Sequence, residues 1–160
     1  MLNHLGRLSL VFLLTLVSAA VVSGEEKEPT PEQLKKAKDD FAKIGATYRE
    51  ETDSHTKQVT HLFVMPEKTT DADLKKLPNP PFSFALSLNG TQVTDAGLKE
   101  LKDLKNLTTL DLGFTKVTGA GLKELKDLKN LTTLNLEGTK VTDAGLKELQ
   151  EALPKCTIIK

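Results

Sequence analysis

The chain has 160 residues, of which 38% are hydrophobic and 4% aromatic, and its 22 basic and 22 acidic side chains cancel in charge. This length fits about one domain. A chain without an excess of basic residues lacks the electrostatic attraction to phosphate on which nucleic-acid binding depends, so the composition argues against a nucleic-acid partner.

Residues 1–24 have the pattern of an export signal. His4 and Arg7 give a weakly positive start, an apolar run of ten residues follows at 8–17, and small residues predominate at 18–24. This run is short for a membrane-spanning helix, which needs about 20 residues. We predict a signal peptide at 1–24, a secreted or periplasmic/cell-envelope location and no membrane span after cleavage. An uncleaved N-terminal anchor is the alternative.

Residues 25–58 are predicted to be a linker and a helical N-terminal cap. Thr30, Pro31 and Gln33 form a helix start, with Thr30 as the N-cap. Apolar residues then recur at helical spacing until Gly45, at Leu34, Ala37, Phe41 and Ile44. Residues around Tyr48 are expected to add an edge strand. A cap is expected because the end of a stack of repeats would otherwise expose apolar surface; a separate partner-binding helix is the alternative.

A 24-residue repeat fills the rest of the chain, residues 59–160. Residues 91–114 and 115–138 agree at 19 of 24 positions, and a third copy begins at Thr139. Alignment at this period pairs Leu110 with Leu86 and then with Leu62, so the first unit begins near Val59. Self-similarity at this period indicates stacked units, here about four of them followed by a terminal strand.

Each unit combines a strand with a short helix. At the end of residues 107–112, leucine occupies every second position, as in a strand. At 122–128, leucine recurs at every third position, which places these side chains on one side of a helix. Recurring threonines occupy the helix N-cap position, and recurring glycines indicate that backbone passes close to the neighbouring unit. These positions are Thr94, Thr118 and Thr142, and Gly97, Gly121 and Gly145.

The pattern LxxLxLxxTxVTxAGLxxL resembles the leucine-rich repeat, and residues 59–160 fit it. With Thr-Asp-Ala-Gly-Leu in its helical part, the chain is similar to short exported repeat proteins of planctomycete-type bacteria. The resemblance implies an α/β fold, a short right-handed leucine-rich-repeat solenoid. Parallel strands would line its concave face and short helices its convex face, with the helical cap at the N-terminal end.

The residues predict neither catalysis nor a metal site. His55 and His61 are the histidines that follow residue 24, and Cys156 lies four strand steps from His61, about 19 Å away at the strand spacing of a sheet. A Cys–His pair is therefore not expected. Asp71 and Asp73 lack the further oxygen ligands of a calcium loop. We predict no enzyme activity, no metal and no cofactor.

Cysteine and asparagine each allow a structural and a functional interpretation. Cys156 is the only cysteine, and we assign it to the end of the core, with an intermolecular disulfide as the alternative. Asn89, Asn106 and Asn130 begin N-x-Ser/Thr sequences. Their recurrence within the repeat favours a role in the turns over glycan attachment.

The side chains that alternate with the core leucines predict the binding surface. With Leu110 and Leu112 inward, residues 109, 111 and 113 point outward, and the same offset applies to the other units. Three of the five differences between the two near-identical copies, at 111/135, 113/137 and 114/138, fall on this face or beside it. The predicted binding residues are His61, Phe63, Met65, Ser87, Asn89, Thr109, Asp111, Thr133, Asn135 and Glu137.

Two parts of this surface have a second interpretation. His61, Phe63 and Met65 form an exposed patch, or they lie beneath the N-terminal cap or its edge strand. Phe114, which replaces a glycine of the other copies, is a surface anchor or packs on the loop of the next unit.

We predict a non-catalytic protein–protein interaction module that binds another protein or peptide through its concave face. Five strands give a face about 24 Å long and about 10–15 Å across. Its area, some hundreds of Å², is below the roughly 800 Å² per partner of a standard stable interface, so the complex is expected to be weak, transient or peptide-like. A glycan- or cell-wall-binding protein is the alternative. The repeat class also occurs in substrate receptors of ubiquitin ligases, a role that the export signal argues against.

Overall fold

The computed structural model describes residues 28–160, and the predicted signal peptide at 1–24 lies outside them. In the described residues, strands and short helices alternate. The strands are β1 (Thr47–Thr52), β2 (Val59–Val64), β3 (Phe84–Ser87), β4 (Leu107–Asp111), β5 (Thr133–Asn135) and β6 (Thr157–Ile159). The α-helices are α1 (Pro31–Lys43), α2 (Asp71–Leu74), α3 (Asp95–Leu98) and α4 (Asp143–Ala152), and 3-10 helices occupy Lys99–Leu101 and Gly121–Leu125.

The strands form one sheet whose order in space is the order in the chain, from β1 to β6. β1 runs antiparallel to β2, and every later pair is parallel. Leu86, Leu110 and Leu134 lie in register and are fully buried. Parallel strands need crossover connections, which the helical segments supply. The predicted α/β solenoid is confirmed, and the edge strand expected near Tyr48 is β1.

Two segments of the helical side are wound more tightly than an α-helix. Leu98, Leu101 and Leu104 recur at every third position, and all three are buried. This is the period of a 3-10 helix, in which side chains three residues apart lie above one another. Lys99–Leu101 and Gly121–Leu125 adopt that geometry. The spacing of the leucines therefore decides both the buried face and the winding of these segments.

The register of β2 differs from the predicted one by a single residue. Phe63 lies opposite Leu86 and Val64 opposite Ser87, whereas the repeat alignment pairs Leu62 with Leu86. Because side chains alternate along a strand, this shift exchanges the two faces of β2. Phe63 is fully buried, and Leu62 is half-buried on the other face. The predicted alignment of the first unit is wrong because an aromatic residue takes its core position.

α1 covers the end of the core beside β2. Its N-terminus has the predicted capping box, in which the Thr30 N–H donates to Gln33 Oε1 (2.9 Å) and the Gln33 N–H donates to Thr30 Oγ1 (3.2 Å). Phe41 is buried and stacks on Phe63, with ring centroids 3.9 Å apart. Gly45 follows the helix at a φ of +85°. This packing supports the cap interpretation over a separate helix on a linker.

Hydrogen bonds between aspartate and threonine join successive units on the helical side, and we call them the Asp–Thr ladder. Asp71 accepts from the Thr94 N–H (2.8 Å) and hydroxyl (2.7 Å), and Asp95 accepts in the same way from Thr118 (2.7 and 2.6 Å). In the following unit, glycine (Gly119) replaces the aspartate, so the equivalent threonine, Thr142, has no carboxylate partner of this kind. Thr94 and Thr118 therefore bridge units as well as capping helices, a role that the sequence pattern did not predict.

Close approach of the units explains the recurring glycines. A Cβ atom on Gly97 would lie 2.3 Å from Asp71 Oδ1, and one on Gly121 would lie 2.4 Å from Asp95 Oδ1. A Cβ on Gly145 would lie 2.6 Å from the Cα of Gly119. Real Cβ atoms do not approach so closely, so the predicted close passage of backbone is confirmed.

Candidate functional site

The strand face is the side of the sheet opposite the buried leucines. Parallel pairing places Asp111 between Ser87 and Asn135 on this face, and it sets Thr109 beside Thr133. The two threonines are half-buried. The structure therefore brings together the predicted binding residues of β3, β4 and β5 and of the loops that follow them: Ser87, Asn89, Thr109, Asp111, Thr133, Asn135 and Glu137.

Asp111 is the centre of a polar network on the strand face. Its Oδ1 accepts from Asn135 Nδ2 (2.8 Å), the Gly113 N–H (2.9 Å) and Asn89 Nδ2 (3.3 Å). Its Oδ2 accepts from Ser87 Oγ (3.3 Å). Four neutral donors thus stabilise a carboxylate that is only 8% exposed. Ionised acceptors form stronger hydrogen bonds than neutral ones, so the network holds three strand ends together.

The network also explains a difference between the two near-identical repeats. A Cβ atom on Gly113 would lie 2.6 Å from Asn89 Nδ2 and 2.8 Å from Asn135 Nδ2. Glycine at 113 therefore leaves room for the amides that bind Asp111. The equivalent residue of the next unit, Glu137, is exposed, and its N–H donates to Asn135 Oδ1 (3.0 Å). Of the predicted binding residues, Glu137 is the one whose charge is directly available to a partner.

His61, Phe63 and Met65 were expected on the strand face, and the structure places them on the other side. All three are buried, because the register shift of β2 turns them towards the core and α1. The expectation that they are exposed is wrong, and the interpretation in which the cap covers them is correct. The Tyr48 hydroxyl lies 2.8 Å from His61 Nδ1. These side chains stabilise the capped end of the solenoid.

The residues that replace them on the strand face are apolar. Leu62 and Val64 are half-buried there, and antiparallel pairing sets Arg49 of β1 opposite Leu62 and therefore on the same face. The repeat alignment predicts Leu62, and by the same offset Val64, to lie in the core. The signal that could have corrected it is Phe63, since a large aromatic residue one place along offers an alternative core position in the same strand.

Phe114 combines an unusual backbone with an exposed ring. Its φ is +55°, in the left-handed region that glycine occupies at Gly90 (+68°) and Gly138 (+67°) of the other units. The residue is 59% exposed. A Cβ on Gly138 would lie 2.5 Å from the ring at Cδ1, so one face of the ring lies over Gly138. The ring is therefore both packed on the next loop and presented to solvent.

Phe114 and Glu137 are direct neighbours where the strands end. The Phe114 N–H donates to the Glu137 carbonyl oxygen (2.7 Å), and the Gly90 N–H donates to the Gly113 carbonyl oxygen (2.9 Å). These bonds align the three loops that leave β3, β4 and β5. We call Asn89, Phe114 and Glu137 the strand-end rim, since they occupy the edge of the strand face where these strands end.

The remaining candidate chemistry is structural. Cys156 is buried, and burial raises the pKa of its thiol to about 11. Asn106 Nδ2 donates to the Pro80 carbonyl (2.9 Å), and Asn130 Nδ2 donates to the Lys105 carbonyl (2.7 Å), so both amides join neighbouring turns. Within residues 28–160, no group of three or more His, Cys, Asp or Glu side chains could hold a metal ion. In the same range, no helix is long and apolar enough to cross a membrane.

Comparison with known proteins bears on the repeat region. Residues 103–126 and 127–149 match the family described as Leucine Rich repeat. The Mex67:Mtr2 subunits of Chaetomium match with a TM-score of 0.42 and 19% identity, over 56% of this chain and 57% of that one. A leucine-rich-repeat protein of Leptospira interrogans matches with a TM-score of 0.42 and 24% identity, over 58% of this chain and 28% of that one.

The chain spans less than two thirds of the length of either protein. No curated protein matches the sequence. The two matched repeats lie on the part of the sheet whose leucines are in register, between β4 and α4. The chain folds as a short α/β leucine-rich-repeat solenoid.

Proposed function

We propose that the chain is a non-catalytic protein-interaction module that binds a protein or peptide through its strand face and strand-end rim. Leucine-rich repeats commonly serve protein interaction, and two of them match here. The observation that carries the proposal is the pair Phe114 and Glu137. Both are exposed neighbours at the rim, and their side chains differ from those of the equivalent residues in the adjacent unit.

Internal packing explains Asp111 and Gly113, which occupy two of the five positions that differ between the two repeats. Asp111 and Asn135 form a hydrogen bond with each other, and Gly113 makes room for the amides around them. An exposed ring at 114 and an exposed carboxylate at 137 do not serve these contacts. Large aromatic side chains on a surface are typical of the energetic centre of an interface, which favours recognition as their role.

Export to the cell envelope is part of the proposal and rests on residues 1–24. The apolar run at 8–17 has the length of a signal-peptide core, and small residues follow it. Similarity to exported planctomycete-type repeat proteins, through the Thr-Asp-Ala-Gly-Leu segments, supports the same location. A partner would then be an envelope or extracellular polypeptide.

Site-specific photo-crosslinking tests the proposal. A photoreactive amino acid replaces Thr133 on the strand face, which leaves Phe114 and Glu137 intact, or, as the control, Lys102, which is exposed on the helical side. In an extract of the source cells, we expect the variant at 133 to form a discrete crosslinked product that the variant at 102 does not form. Equal crosslinking at both positions, or none at 133, would contradict binding through this face.

A glycan-binding protein is the second candidate. Aromatic rings often stack on sugar faces, and Phe114 offers such a ring beside the polar side chains of Asn89 and Glu137. Phe63 cannot play this part because it is fully buried. Retention of the protein on purified cell-wall polymer, lost in Phe114→Gly, would favour this function over the first.

A further inference from the structure

Glu137 of the strand-end rim and the adjoining Asp111 carry negative charge without a basic partner among the described residues. Neither Asp111 nor Glu137 forms an ion pair with a described residue, although ion pairs occur elsewhere, as between Lys126 and Glu148. The donors to Asp111 are neutral amide, hydroxyl and backbone groups. Neutral donors stabilise a charge but do not cancel it, so its field reaches the surface beside Glu137.

Phe114 adds an aromatic face at the same place. It is the only large hydrophobic residue that is exposed within residues 28–160. A left-handed backbone is unfavourable for a residue with a bulky side chain, and glycine occupies the equivalent positions at Gly90 and Gly138. Glycine at position 114 would therefore stabilise the fold more than phenylalanine does. Strain of this kind is characteristic of functional sites, where a required side chain outweighs the local preference.

An exposed aromatic residue whose backbone neighbour is an exposed glutamate fits a cation. The negative face of an aromatic ring attracts Lys and Arg side chains, and a nearby carboxylate provides the counter-ion. This protein uses the ring contact elsewhere, since Lys38 Nζ lies 3.9 Å from the centre of the Tyr48 ring. Within residues 28–160, no lysine or arginine forms such a contact with the Phe114 ring.

We propose that the strand-end rim binds a basic side chain of a partner polypeptide, preferentially arginine, between the Phe114 ring and the Glu137 carboxylate. Arginine is favoured because its planar guanidinium can stack on a ring while its edge donates to a carboxylate. The inference rests on the proposed function and specifies the partner: a polypeptide that presents an arginine or lysine in an extended or loop segment.

An NMR titration of the isotope-labelled protein tests the inference. The probes are the peptide Ac-Gly-Gly-Arg-Gly-Gly-NH2 and its citrulline counterpart, which has nearly the same shape but no charge. We expect the arginine peptide to shift the amide signals of Gly113, Phe114, Glu137 and Gly138. Its affinity should exceed that of the citrulline peptide by about threefold to fivefold and should fall as salt is added.

Two variants locate the effect. Phe114→Gly places at the rim the residue that the other units have there, so the fold should be retained, and the amide spectrum of the variant checks this directly. Phe114→Gly and Glu137→Gln should each abolish the preference for arginine over citrulline. Glu151→Gln removes an exposed carboxylate from α4 and is the matched control, for which the preference should be unchanged.

Equal shifts with both peptides, or an arginine preference that survives in folded Phe114→Gly, would overturn the inference. Shifts at the rim with a neutral oligosaccharide but not with the arginine peptide would overturn it in favour of a glycan. If the peptides fail while crosslinking at position 133 still succeeds, only the basic-side-chain inference is lost. If crosslinking fails as well, the proposed function is lost with it.

Discussion

Asp111 and Phe114 are three residues apart and depart from the repeat for different physical reasons. Asp111 is buried and takes four hydrogen bonds, and the equivalent Asn135 is one of its donors. That pair forms a cross-strand contact that stabilises the sheet. Phe114 is exposed and adopts a backbone conformation that suits glycine. The first departure is explained within the fold, and the second points to a partner.

The strain at Phe114 predicts an unusual mutational pattern. Phe114→Gly should not lower the free energy of unfolding and should raise it by about 0.5 kcal/mol, because relief of the left-handed strain outweighs the added flexibility of the unfolded chain. Phe114→Ala loses the same ring contacts but keeps the strain, so it should be less stable than Phe114→Gly by about 1 kcal/mol. Urea denaturation measures both. A less stable glycine variant would show that the ring serves the fold.

Burial of Cys156 predicts slow thiol chemistry. The folded thiol, with its pKa raised to about 11, stays protonated at pH 8, and the thiolate is the reactive form. Alkylation by iodoacetamide at pH 8 should be at least about 100-fold slower in the folded protein than in urea. From pH 8 to 10 the folded rate should keep rising, whereas the unfolded rate levels off near pH 9. Rapid labelling of the folded protein would return the intermolecular disulfide to consideration.

Strands and helices follow from the sequence wherever the repeat is regular. Leucine spacing predicts β3, β4 and β5 and the helical side, and the capping residues predict α1. The register of β2 does not follow, because Leu62 and Phe63 are both acceptable core residues. The choice depends on tertiary contacts of the Phe63 ring with Phe41, Tyr48 and Phe84. The burial of Asp111 cannot be predicted from the local sequence either, since its partners come from units about 24 residues away.

The Asp–Thr ladder predicts a stabilising substitution at its missing position. Gly119→Asp should provide Thr142 with the carboxylate that Asp95 provides for Thr118, and the free energy of unfolding should rise by about 1 kcal/mol. The space is tight, because a Cβ on Gly119 would lie 3.0 Å from Thr142 Oγ1, but that hydroxyl can rotate to donate to the new side chain.

The converse substitution, Asp95→Gly, is the matched control for the ladder. It leaves the Thr118 N–H and hydroxyl without their acceptor and should lower the free energy of unfolding by about 1–3 kcal/mol. Urea denaturation of the two variants beside the parent chain gives both values. A Gly119→Asp variant as destabilised as Asp95→Gly would show that the close backbone contact with Gly145 outweighs the hydrogen bonds.

For the molecule as a whole, the repeats form a scaffold and the rim distinguishes one unit from another. α1 and the aromatic cluster around Phe63 close one end of the core. The leucine ladders and the Asp–Thr ladder keep successive units at fixed separations. Side chains that serve these contacts are occupied, whereas the strand-end rim is exposed and differs between neighbouring units.

Photo-crosslinking from position 133 in the parent chain and in Phe114→Gly is the most direct test of this account. The parent chain should form a discrete crosslinked product, and Phe114→Gly should lose most of it while its free energy of unfolding is equal or higher. That combination would separate recognition from folding at a single residue. Undiminished crosslinking in Phe114→Gly would contradict the claim that the exposed ring belongs to the binding surface.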